Sequence, residues 1–200
     1  GRPERGKQNH SFYARWEPIR YAPAFAPATP SQHMCGNSSL MRIKLFMDGA
    51  EFDAMREAYK AGLVKGFTTN PSLMRRAGVT DYATFAKAAI AAIPDLPISF
   101  EVFADDFPTM EREAGVIASW GGTTYIKIPV TNTRGESSAP LIHKLANSGM
   151  ALNVTAIFTL EQVSEVASAL NPNVSSIISV FAGRIADTGV DPIPMMSRSV

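Results

Sequence analysis

The stretch Thr124-Tyr125-Ile126-Lys127-Ile128-Pro129-Val130 puts a lysine in the middle of an otherwise apolar strand. Lysine is among the residues least often buried, because its ammonium loses hydration on leaving water. Its neighbours nevertheless read as interior β-structure, β-branched and aromatic, with a proline near the end. A lysine in that setting is either one half of an ion pair or a nucleophile held partly neutral.

Period-two geometry sets Ile126 and Ile128 on one face of the strand and Lys127 on the other. The same division recurs on both sides of it in the sequence. Over 98–103, Ile98, Phe100 and Val102 oppose Ser99 and Glu101; over 151–155, Leu152 and Val154 oppose Asn153 and Thr155. Further strands are expected at 43–47, 64–67 and 176–181, with a turn at Asn70-Pro71. Helical spacing runs over 51–61, where Gly62 stops it, and over 81–93, with Tyr82, Phe85, Ala86 and Ala89 on one face. It returns over 109–120, 140–147 and 160–169, the first two of these closed by Gly121-Gly122 and Gly149.

Strand and helix therefore alternate six times, the mark of parallel βαβ units. An open parallel sheet is covered by helices on both faces and is apolar on both. A polar face repeated on several strands instead fits a closed barrel whose lumen carries chemistry near its C-terminal mouth. The expected fold class is thus α/β, of the (β/α)8 TIM-barrel type, with about six of the eight units in this chain.

At 200 residues and 46% hydrophobic content, there is apolar material for one domain with a full core. Nineteen basic against 18 acidic side chains, for a net charge of +1, give no sign of a nucleic-acid partner. Cys35 is the single cysteine, which excludes an internal disulfide framework and fits a reducing, cytoplasmic setting. No apolar run approaches the roughly 18 residues that cross a bilayer, so no membrane partner is expected. His10, His33 and His143 are isolated, which argues against a metal site, and no glycine-rich nucleotide loop calls for a cofactor. Residues 1–40 scatter Pro3, Pro18, Pro23, Pro27 and Pro30 without periodicity. They read as a disordered or non-native leader before a partial barrel domain over 41–200.

Five motifs then stand in order: GFTTNPSL at 66–73, EVFADD at 101–106, YIKIPVT at 125–131, LNVTAIFT at 152–159 and SVFAGRIADTG at 179–189. Together they resemble the transaldolase family, including its short fructose-6-phosphate aldolase-like branch, over residues 43–194. The resemblance implies a barrel whose fourth strand carries a Schiff-base lysine, at Lys127. It further implies transfer of a dihydroxyacetone unit from a ketose phosphate to an aldose phosphate, in the pentose phosphate pathway. Carried over residue by residue, Asp48 matches the acid/base that takes the C4 hydroxyl proton, and its other reading is a helix N-cap. Glu101 matches a carboxylate that works through a water held by Thr155, or else it is only an ion partner of Lys127. Asn70 and Asn153 match the amides that bind the dihydroxyacetone hydroxyls, although Asn70 before Pro71 also suits a turn. Ser179 matches a hydroxyl contact to substrate. Arg184 matches the phosphate ligand, with a surface arginine as the plain alternative.

Fructose-6-phosphate aldolases that resemble this chain typically carry glutamine at the position of Glu101 and tyrosine at that of Phe181, and tend to lack Ser179. The three residues present here favour transfer over simple aldol cleavage. A complete barrel needs two more βα units after Asp187, so a chain ending at Val200 reads as truncated at its C-terminus. A non-catalytic remnant is the competing expectation, and the sequence leaves assembly into a homo-oligomer open.

Overall fold

The computed structural model describes residues 43–200, so the leader expected over 1–40 lies outside the described residues. Six strands form one sheet: β1 (Met47–Asp48), β2 (Phe67–Thr68), β3 (Ile98–Glu101), β4 (Thr124–Pro129), β5 (Leu152–Ile157) and β6 (Ile177–Val180). Each is parallel to the next, and their spatial order is their chain order. Helices return the chain between them: α1 (Phe52–Lys60), α2 (Pro71–Arg76), α3 (Tyr82–Ala92), α4 (Phe107–Ala118), α5 (Ala139–Asn147) and α6 (Leu160–Ala169). Two short helices, α7 (Ala182–Asp187) and α8 (Ile193–Arg198), follow β6. Sequential parallel strands with helical crossovers are the construction rule of the (β/α)8 barrel, of which this sheet is a curled part.

The alternation read from the sequence decides where the core sits. Ile98, Phe100, Ile126, Ile128, Leu152 and Val154 are all buried in one cluster with Ala86, Ala89, Met110, Ala114, Ile142 and Val166 from the helices. Burying each large aliphatic or aromatic side chain contributes about 1.5–3 kcal/mol, so the sheet–helix layer supplies most of the stability. The opposite face carries Asp48, Thr68, Ser99, Glu101, Lys127, Asn153, Thr155 and Ser179, and this polar row faces the lumen.

Local signals fix the ends of the helices. Asp81 and Asp106 cap α3 and α4 by accepting from Thr84 N at 3.0 Å and Thr109 N at 2.9 Å. Thr159 and Gln162 form a capping box on α6. Beyond α4, Gly122 lies at φ +63°, and a Cβ there would stand 2.5 Å from Ile90 Cγ2, so only glycine fits the approach.

The structure differs from the sequence reading in several places, one of them the second strand, expected at 64–67 and found at Phe67–Thr68. The first strand covers only Met47–Asp48, with Ile43 and Leu45 86% and 61% exposed. As an edge strand with one neighbour among the described residues, it lacks the second partner that would hold its start. The expected turn at Asn70-Pro71 instead opens α2. Asn70 Oδ1 accepts from Leu73 N at 3.0 Å, with proline in the first helical turn, and this pair starts a helix as readily as it makes a turn.

One backbone feature lies beside the polar row. The register between β5 and β6 shifts between Val154 and Ile157, and Ala156 in that bulge has φ +59°. A β-branched side chain tolerates this region poorly. Ala156→Val should therefore cost about 1–3 kcal/mol in urea unfolding, whereas Ala156→Gly should change stability little, because relieved strain offsets the extra freedom of the unfolded chain.

Candidate active site

Register places the site's side chains before any contact is considered. Glu101 lies opposite Lys127 on the neighbouring strand, and Lys127 lies opposite Asn153 on the next. In a parallel sheet such partners project to the same face. Three strands thus present a carboxylate, an amine and an amide in one row.

The Lys127 side chain is 11% exposed. Its Nζ donates to the Thr69 carbonyl at 2.9 Å and stands 3.5 Å from Glu101 Oε2, whose side chain is 27% exposed. The second distance is an ion contact, longer than a direct charged hydrogen bond. Both the ion-pair reading of Glu101 and the acid/base reading fit it. Asn153 is buried and spans the row behind the lysine. Its Nδ2 donates to Ser99 Oγ at 3.1 Å, and its Oδ1 accepts from Ser179 Oγ at 2.7 Å, joining β3 to β6 across β4. With its carbonyl and amide both engaged, the Asn153 amide has a fixed orientation. Thr155, 5% exposed, lies two residues further along the same face of β5, next to the bulge at Ala156.

Asp48 ends β1 and accepts from Thr68 Oγ1 at 2.7 Å. It does not cap the helix that follows, since the N-cap position of α1 is Glu51. The helix-cap reading of Asp48 is therefore overturned: Gly49 and Ala50 intervene, and the carboxylate turns to the neighbouring strand instead. Asn70 does act as a cap, and its Oδ1 is committed to Leu73 N, which leaves its amide N–H₂ as the donor available to a ligand.

The remaining two candidates sit at the far end. Phe181 holds the N-cap position of α7, where its N–H donates to Ile157 O at 2.9 Å and its ring meets Phe158 edge-on at 5.7 Å. Arg184 is on α7 with a side chain 75% exposed, and its guanidinium stands 3.7 Å from Asp187 one turn on. Among the described residues no hydrogen bond links Arg184 to the Lys127–Glu101–Asn153 row. An exposed pair of this kind contributes little to stability, so the arginine can exchange partners at low cost.

The structure adds four residues that carried no role in the sequence reading: Thr68 on Asp48, Thr69 on Lys127, Ser99 on Asn153 and Tyr82 on Glu101. Ser99 was marked by its place on the polar face of 98–103. Thr69 acts through its backbone carbonyl, which no side-chain pattern announces.

Comparison with known proteins gives one consistent result. The family model described as transaldolase/fructose-6-phosphate aldolase matches residues 45–199. A probable transaldolase from Streptococcus equi subsp. zooepidemicus is 39% identical over 155 residues, covering 78% of this chain and 68% of that protein. Another from Thermoanaerobacter sp. is 36% identical over 158 residues, 79% of this chain and 68% of its own. A third, from Dehalococcoides mccartyi, is 30% identical over 158 residues, 79% of this chain and 69% of its own.

Proposed function

The chain belongs to the transaldolase/fructose-6-phosphate aldolase family, and from that premise we propose that it moves a dihydroxyacetone unit between sugar phosphates through a Schiff base on Lys127. The observation that carries this reading is the lysine itself: an amine 11% exposed, in the polar row of a barrel-type sheet, with a carboxylate 3.5 Å away.

The chemistry follows from the placement. A ketose carbonyl reacts with a neutral amine, and a free lysine, with a pKa of about 10.4, is almost fully protonated at neutral pH. Glu101 is the base within reach of the ammonium proton. The amine then adds to C2, and loss of water gives an iminium. A base at C4, Asp48 in this reading, removes the hydroxyl proton, and the C3–C4 bond breaks with its electrons drawn toward the iminium nitrogen. The aldose phosphate leaves, and a three-carbon enamine remains on Lys127. Addition to a second aldose phosphate and hydrolysis of the new iminium complete the transfer. The amides of Asn153 and Asn70 and the hydroxyl of Ser179 are the groups positioned to bind the dihydroxyacetone hydroxyls, with Thr155 holding the water that Glu101 uses. Arg184, exposed at the end of α7, is the phosphate ligand in this reading.

Transfer is favoured over simple aldol cleavage by Phe181. A tyrosine hydroxyl there would supply a proton to the enamine and release dihydroxyacetone; the phenyl ring against Phe158 supplies none. The pathway assignment, the pentose phosphate interconversions, follows from these substrates. The test is borohydride reduction in the presence of fructose 6-phosphate, followed by peptide mass mapping. A three-carbon adduct on Lys127 is expected, and erythrose 4-phosphate added before the borohydride should discharge it. A folded protein that yields no adduct would refute the Schiff-base reading. An adduct that erythrose 4-phosphate leaves in place would point to cleavage without transfer.

A further inference from the structure

We propose that Tyr82 is a positioning residue for Glu101: its hydroxyl takes the place of the missing β2 backbone and pins the strand segment that carries the carboxylate. The inference rests on the reading of Lys127 and Glu101 given above.

The parallel ladder between β2 and β3 shows where the hydroxyl acts. Phe67 N donates to Pro97 O at 2.8 Å, and Thr69 N donates to Ser99 O at 3.1 Å. In a regular parallel ladder the next rung would bring the Glu101 N–H to the Thr69 carbonyl. That rung is absent, because the chain leaves the sheet at Asn70 to begin α2. Glu101 would then hold a backbone N–H and C=O facing the vacated side with no strand to meet them.

Tyr82, the first residue of α3, fills the gap with one oxygen. Its hydroxyl accepts from Glu101 N at 2.8 Å and donates to Glu101 O at 3.1 Å. A phenolic hydroxyl is both donor and acceptor, so it can close both backbone groups of a single residue, which a carboxylate or an ammonium cannot do. The Thr69 carbonyl, released from the ladder, accepts from Lys127 Nζ at 2.9 Å instead. The break in the sheet and the seating of the lysine therefore have one origin.

The ring that delivers the hydroxyl is itself held. Its centroid lies 6.1 Å from that of Phe100, 4.9 Å from that of Phe103 and 5.1 Å from that of Trp120, with edge or tilted geometry in each case. Burial pushes the Tyr82 hydroxyl well above the ordinary tyrosine range, so it remains a donor at any working pH. Tyr82 touches no reacting atom in this scheme; it acts only through where it holds Glu101.

The test is a double-mutant cycle on the rate at which the borohydride-trapped adduct forms from fructose 6-phosphate. Tyr82→Phe keeps the ring packing and removes the hydroxyl, and should slow trapping about tenfold, the cost expected of a misplaced proton-transfer group. In a Glu101→Gln background the same change should cost less than about twofold, because the group being positioned has already lost its function. An equal loss in both backgrounds, or wild-type trapping by Tyr82→Phe, would overturn the inference. Absence of any adduct on wild-type protein would instead overturn the Schiff-base reading, and this inference with it. Should Tyr82→Phe fail to fold, amide hydrogen exchange on the wild-type chain decides the matter. The Glu101 N–H should be protected like its neighbours in β3, and exchange at loop rates would refute the contact.

Discussion

Lys127→Met is expected to abolish the trapped adduct and to lower transfer by at least on the order of 10⁴-fold, the usual scale for removal of a covalent nucleophile. Methionine matches the lysine stem in length and fills the same space beside Asn153. It leaves the Thr69 carbonyl and the Glu101 carboxylate without the donor that each now faces at 2.9 and 3.5 Å. The stability cost of that loss is about 1–3 kcal/mol, and it is readable in urea unfolding followed by the fluorescence of Trp120. Lys127→Arg separates the two readings of the lysine. Arginine keeps the positive charge opposite Glu101 but cannot give up its proton to become a nucleophile. If Lys127 were only half of an ion pair, Lys127→Arg would keep most of the activity. In the covalent reading both variants are inactive, and Lys127→Arg is the more stable of the two.

The fold was legible where side chains alternate cleanly. Ile98, Phe100, Ile126, Ile128, Leu152 and Val154 form the helix-facing core, and Ser99, Glu101, Lys127, Asn153 and Thr155 face away from it, as period-two geometry requires. Legibility fell toward the edges of the sheet. At β1 the apolar run over 43–47 looks like strand, yet a strand with a single neighbour pairs only as far as that neighbour reaches. At Asn70-Pro71 the sequence carries a signal shared by turns and helix starts, and only the packed chain decides between them.

The candidate site divides along the same line. Residue type and strand face mark Lys127, Glu101 and Asn153, and the family motif marks Ser179; register sets the first three in one row, and Ser179 Oγ donates to Asn153. What the sequence did not announce is what holds that group in place. Thr69 contributes a carbonyl, and Tyr82 contributes a hydroxyl from a helix that, by its spacing, reads only as an apolar face. Both depend on where β2 stops relative to β3, a property of two segments together and of neither alone. Arg184 is the opposite case. Its motif marks it plainly, while its side chain stands in solvent beside Asp187, and among the described residues no hydrogen bond or ion pair ties it to the polar row.

Asp48→Asn should block the reaction one step later than Lys127→Met, and in a way that mass alone can read. The amide is nearly isosteric with the carboxylate, and its oxygen can still accept from Thr68 Oγ1, which Asp48 now does at 2.7 Å. The substitution removes only the capacity to take a proton. In the proposed scheme imine formation at C2 uses Lys127 and Glu101, not this group, so fructose 6-phosphate should still condense with the lysine. Cleavage of the C3–C4 bond needs the C4 hydroxyl proton removed, and loss of a general base at that step costs about 10²–10⁴-fold. Borohydride should therefore trap a six-carbon phosphorylated adduct on Lys127, where the wild-type chain is expected to give the three-carbon one. The outcome is specific to a base acting after imine formation. A purely structural contact would lower both adducts together, and a wild-type rate of three-carbon adduct in Asp48→Asn would remove Asp48 from the cleavage step. Glu101→Gln provides the complementary pattern: slow formation of any adduct, followed by cleavage at an unchanged rate once the imine exists. If the two variants stall on opposite sides of the imine, the carboxylates on β1 and β3 divide the proton transfers between them, and Lys127 links the two halves.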